Sequence, residues 1–134
     1  MLVCNLTLGN EKPAQESTNV NLLPVVLSAR SVESKNKLEQ KLEIQLTIQD
    51  GYEIYSERKH SFLLPLKTEV LDSQMRPITN VIRYPEPKTI SFEDTIGGHF
   101  YAYGGKVKLV ATLPFDAQPA YVRMFYHGNY RQHT

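Results

Sequence analysis

Few side chains in this chain have the character to do chemistry. Cys4 is its single cysteine, and the histidines are His60, His99, His127 and His133. One thiol cannot close an intramolecular disulfide. His127 and His133 stand six positions apart, and no His-x-His or Cys-x-x-Cys spacing joins a histidine to a second ligand, so no metal is expected. Glu93 and Asp94 are adjacent, and on an extended segment neighbours point to opposite faces, which makes them a poor general acid/base pair. Neither a Gly-x-Ser-x-Gly elbow nor a glycine-rich phosphate loop opening a helix occurs. The expectation is a chain with no catalytic residue and no cofactor.

Whatever site exists must be held by strands. Leu42, Ile44, Leu46 and Ile48 alternate with Glu43, Gln45, Thr47 and Gln49, the period-2 pattern of a strand with one buried face, placed inside a sheet. Asp50-Gly51 then turns the chain, since glycine takes positive φ and aspartate bonds its own turn. Tyr52 and Tyr55 mark the ends of a short strand after it. Similar patterns place strands at Leu23 to Arg30, Leu66 to Val70, Thr79 to Tyr84, Lys106 to Pro114 and Ala120 to Tyr126. Pro85 and Pro87 lack ladder donors and put Tyr84-Pro85-Glu86-Pro87 at a sheet margin. About seven short strands with turn signals between them, and no segment of helical period, predict an all-β antiparallel sandwich.

Two stretches do not read as strands. Residues 9–21 are polar and cannot repay their ordering entropy by burial, so 1–21 is expected to be a flexible leader, with Cys4 on a disordered arm, ahead of one domain over 22–134. Residues 88–103 place Gly97-Gly98 beside Phe100, Tyr101 and Tyr103, which suggests either a loop able to lay aromatic side chains over a site or aromatic residues that plug the end of the sandwich.

A chain of 134 residues is long enough for one real core. Its formal charge of +1 gives no reason to expect a polyanion, and no segment concentrates basic residues beyond Lys35, Lys37 and Lys41, so nucleic acid is not an expected partner. Met1 to Leu8 is too short for a secretory signal and lacks a basic start. No membrane span is expected in this chain.

The order Asp50-Gly51-Tyr52-x-x-Tyr55-Ser56, Leu64-Pro65, Tyr84-Pro85-x-Pro87 and Tyr103-Gly104-Gly105 running into Lys106 to Pro114 resembles the N-terminal periplasmic domain of the thiol:disulfide interchange protein DsbD, over roughly residues 25–134. The resemblance implies an immunoglobulin-like sandwich, a periplasmic or cell-envelope location and a thioredoxin-like protein partner. In that family two cysteines near the sandwich end carry electrons under a cap loop. Matched to that context, Tyr126, His127 and Asn129 occupy the active-site positions, with Asn129 where the first cysteine belongs. Phe92, Glu93, Asp94, Phe100, Tyr101 and Tyr103 fall in the cap loop. Disulfide exchange needs an attacking thiolate and a resolving thiol, and a carboxamide is neither. The expected function is therefore a protein-interaction module that is redox-inactive as written. An alternative is membership of a protein-disulfide reductase system whose cysteines lie elsewhere, and a third is a structural, adhesion-type sandwich.

Overall fold

The computed structural model describes residues 2–5, 24–58, 65–91 and 99–130, and within them the chain is all β with no helix. In chain order the strands are β1 (Leu2–Asn5), β2 (Val25–Val32), β3 (Glu39–Ile48), β4 (Tyr52–Tyr55), β5 (Lys67–Leu71), β6 (Val81–Arg83), β7 (Lys88–Ser91), β8 (His99–Tyr103), β9 (Lys106–Pro114), β10 (Tyr121–Phe125) and β11 (Gly128–Tyr130). They pair antiparallel in three sheets, ordered β2-β3-β9-β6, β11-β4-β8-β7 and β1-β10-β5. No helix among the described residues is long and apolar enough to cross a membrane.

The best-patterned strands lie at the centre. On β3, Leu42, Ile44, Leu46 and Ile48 are buried, and on β9 Val107, Leu109, Ala111 and Leu113 are buried against them, with Ile44 opposite Leu109 and Leu42 opposite Ala111. One core cluster joins these to Val25 and Leu27 of β2, Ile54 of β4, Val70 of β5, Tyr103 of β8, and Val122 and Met124 of β10. All three sheets thus share one apolar interior, an arrangement consistent with a β-sandwich.

Two local readings hold and three are corrected. The Asp50-Gly51 turn forms, with the Tyr52 N–H donating to the Gln49 carbonyl at 2.9 Å and Gly51 at φ 82°. It is a corner between sheets, because β3 pairs with β2 and β9 while β4 pairs with β8 and β11. The arm around Cys4 is a strand: β1 pairs with β10, Cys4 facing Val122, because the edge of β10 offers it a ladder. Residues 6–21 of the expected leader lie outside the described residues. The stretch read as a covering loop is strand at both described ends, β7 and β8 pairing from Lys88↔Ala102 to Ser91↔His99. Aromatic residues suit a pleated surface as well as they suit a loop, and the neighbours Ala102 and Tyr103 are both buried, so the end of β8 shows no alternation of wet and dry positions. A short final strand, β11, was not expected at all. Tyr84 to Pro87 does lie at a margin, joining edge strand β6 to edge strand β7.

The turn after β5 is stapled by Asp72. Its Oδ1 accepts from the backbone N–H groups of Gln74 and Arg76, both at 2.9 Å, and its Oδ2 accepts from Arg76 Nε at 3.1 Å. This holds Met75 at φ 63°, a conformation that side-chain-bearing residues rarely take. The backbone hydrogen bond from Arg76 is the main cause that holds the Asp72 carboxyl below its ordinary value. A depressed folded-state pKa gives stability that is complete above the unfolded value, about 3.9, and is lost as pH falls through the folded one. Asp72→Asn is therefore expected to be less stable than the parent at pH 7, with the gap closing below about pH 4. Urea unfolding across that range is the check.

Candidate functional site

The sheet β11-β4-β8-β7 brings together the two groups of residues singled out in the sequence. β4 lies between β11 and β8, with Glu53 opposite Asn129, Ile54 opposite both Gly128 and Tyr103, and Tyr55 opposite Ala102. Asn129 on β11 and the aromatic residues Phe100, Tyr101 and Tyr103 on β8 are therefore one strand apart, about 10 Å at ordinary strand spacing. Phe92, Glu93 and Asp94 lie outside the described residues. Phe100 is on β8, facing Ile90 of β7.

On the β11 side, His127 is exposed, and its carbonyl accepts the Tyr55 N–H at 2.8 Å. Its ring meets the Tyr55 ring edge-on at 5.9 Å. Tyr126 is half-buried against the core, and burial, then the nearby Tyr130, push its hydroxyl up. Tyr52 meets Tyr130 edge-to-face at 4.7 Å, and the Tyr130 hydroxyl donates to Gln49 Oε1 at 3.0 Å. Burial is also the first cause that raises Tyr52, ahead of Tyr126, Tyr130 and Tyr55. Beside this corner a cleft of about 390 Å³ runs between Gln49–Glu53 and Gly104-Gly105, with Lys88 at its side.

On the β8 side the contacts are polar and paired. Tyr103 is buried, and its hydroxyl reaches Glu57 Oε2 at 2.7 Å and the Pro85 carbonyl at 2.9 Å. A hydroxyl has one proton, and the carboxylate is the stronger acceptor. Burial first, then Glu57, pushes the Tyr103 pKa far above that of an ordinary tyrosine. Arg58 pairs with Glu86 at 2.7 Å and stands 4.6 Å over the Tyr101 ring. The Tyr101 carbonyl accepts the Ser56 N–H at 2.8 Å. These contacts tie the chain after β4 to the Pro85-Glu86 margin. Burial raises Tyr84 too, opposed by Thr68, whose buried Oγ1 nonetheless has no partner in hydrogen-bond geometry.

Tyr103→Phe is expected to cost about 1–2 kcal/mol at pH 7, because it leaves Glu57 short of a donor. A raised folded-state pKa means that the unfolded chain loses its proton first, near pH 10, so this contribution is present below that value and lost as pH climbs above it. The parent should accordingly lose more stability than Tyr103→Phe between about pH 9 and 11. Chemical denaturation at both ends of the interval measures the difference.

Sequence reasoning missed Glu57, Arg58 and Gly128 as parts of this site. The signals were local and ambiguous: a charged stretch after Tyr55 reads as an ordinary loop, and a glycine near the end of the chain as a turn. No group of three or more His, Cys, Asp or Glu that could hold a metal occurs among the described residues. Cys4 is on β1, paired with β10 in a different sheet from His127 and Asn129. What the arrangement offers chemically is aromatic surface and charge-assisted hydrogen bonds. Comparison with protein-family models, with curated proteins and with solved structures finds no match for this chain.

Proposed function

We propose that this chain is a protein-interaction module of the cell envelope, an immunoglobulin-like sandwich resembling the DsbD N-terminal domain, that binds a thioredoxin-like partner without exchanging a disulfide with it. One observation carries the reading. Asn129, the position that the resemblance matches to the family's first cysteine, carries no thiol, and it lies in a stretch bounded by two exposed aromatic residues, Phe125 at the end of β10 and Tyr130 on β11, the latter packed edge-to-face on Tyr52 of β4. Tyr130 is 58% exposed and Phe125 is 38% exposed. Phe125 is flanked by cations, with Arg123 at 5.4 Å and Lys67 at 6.0 Å from its ring. Tyrosine, other aromatic residues and arginine are the side chains enriched at interface centres.

The test is binding of an immobilised chain to a thioredoxin-like domain whose own cysteines are replaced by serine. Phe125→Ala and Tyr130→Ala are each expected to weaken it about tenfold or more. Both side chains are open to solvent, so both variants should fold. An affinity unchanged by both substitutions would remove the site, and no binding by the parent would remove the partner class.

A further inference from the structure

Basic residues that the sequence scatters are gathered by strand pairing onto one surface. On the sheet β2-β3-β9-β6 the positions between the buried ones share the face away from the core. Arg30, Glu43, Val110 and Arg83 stand in one row across its four strands. Gln45 faces Lys108 in the next row, Thr47 faces Lys106 beyond it, and Lys41 faces Thr112 on the other side. Five cations (Arg30, Lys41, Arg83, Lys106 and Lys108) oppose two acids (Glu39 and Glu43), a surplus of three on one face of a chain whose total is +1.

The acid at the centre is already engaged. Glu43 Oε1 lies 3.0 Å from Arg30 Nη2 and 3.7 Å from Lys108 Nζ, and the Glu43 side chain is 16% exposed against 59% for each cation. Lys41, Arg83 and Lys106 have no carboxylate partner among the described residues. Val110 and Val81 lie between the charges, the latter 74% exposed. The face is thus a cationic surface interrupted by small apolar side chains.

We propose that this face, centred on Lys106, Lys108 and Arg83, docks an acidic, extended segment of a partner protein. The occupant follows from charge complementarity and spacing. Lys106 and Lys108 are alternate residues of a strand, about 7 Å apart, the interval between alternate carboxylates of an extended peptide. The valines suit apolar residues between those carboxylates. The same face has no aromatic side chain on which a base could stack. This surface lies on a different sheet from the aromatic site and does not depend on it.

The test is a titration of the full chain, followed by backbone amide shifts, with a short peptide alternating glutamate and valine. The same peptide with glutamine for glutamate and an oligothymidylate of equal charge are run beside it. The acidic peptide should shift amides of β3, β6 and β9, lose affinity as salt is added, and bind about tenfold more weakly to the variant carrying Lys106→Gln and Lys108→Gln. The glutamine peptide should leave those amides still. Absence of shifts on β6 and β9, equal binding of the glutamine peptide, or an affinity indifferent to the two substitutions would overturn the proposal. Tighter binding of the oligothymidylate would also overturn it, in favour of a nucleic acid. Both lysines are solvent-exposed, and an unchanged spectrum of the free variant confirms that its fold is intact.

Discussion

Leu109→Ala is expected to cost about 2–5 kcal/mol, a large part of the 5–15 kcal/mol that holds a domain of this size together. Leu109 is fully buried at the middle of β9, opposite Ile44, which is fully buried as well. Truncation removes its transfer free energy and leaves a cavity that two central strands cannot close without moving their ladder. Because the core cluster draws on all three sheets, the loss should be felt by the whole molecule. The urea midpoint should fall with the slope unchanged, and amide exchange should accelerate on β10 as well as on β9. A loss under about 1 kcal/mol, or one confined to β9, would show that the sheets do not share a cooperative interior.

Gly128→Ala is expected to be the most damaging small change at the site. A Cβ there would collide with the Glu53 carbonyl oxygen and come within 2.9 Å of the Tyr52 hydroxyl. The first obstacle is the backbone of the paired strand, so β11 must move away from β4 or the ladder must distort. Overpacking of this kind costs about 1–3 kcal/mol. The exchange protection of β11 should be lost first, and the edge-to-face contact of Tyr130 with Tyr52 with it. If the site is what the Proposed function requires, partner binding should fall more than stability does. A variant as stable as the parent with β11 protected would contradict the close approach.

How far the sequence could be read depended on whether a strand has one wet face. β3 and β9 announce themselves because Leu42 to Ile48 alternate with polar residues and Val107 to Leu113 alternate with Lys108, Val110 and Thr112, and both lie where that pattern puts them. β8 hid because its aromatic residues repeat without a polar partner and both Ala102 and Tyr103 are buried. β1 and β11 hid because strands of four and three residues carry too little pattern, and their place is decided by the neighbours they pair with. The Asp50-Gly51 turn was legible as a turn, but its role as a corner between sheets is a property of the partners chosen by β3 and β4. The same limit applies to the site. Tyr101, Tyr103, Tyr126, His127 and Asn129 could be named one by one, whereas Glu57 under Tyr103 and Gly128 against Glu53 exist only once β4 separates β8 from β11. The basic face is the extreme case, since its five cations come from four strands.

The most direct test of the central claim is an amide shift map of the Cys4→Ser chain titrated with an oxidised thioredoxin-like domain, beside the same titration of the parent. Equal affinities and perturbations gathered on Phe125 and on β4, β8 and β11 are the predicted result. Perturbations confined to β1 and the Tyr121-Val122 end of β10 that pairs with Cys4, with Phe125 and Tyr130 unmoved, or a complex formed only by the parent and released by reductant, would show that the thiol and not the aromatic residues makes the contact.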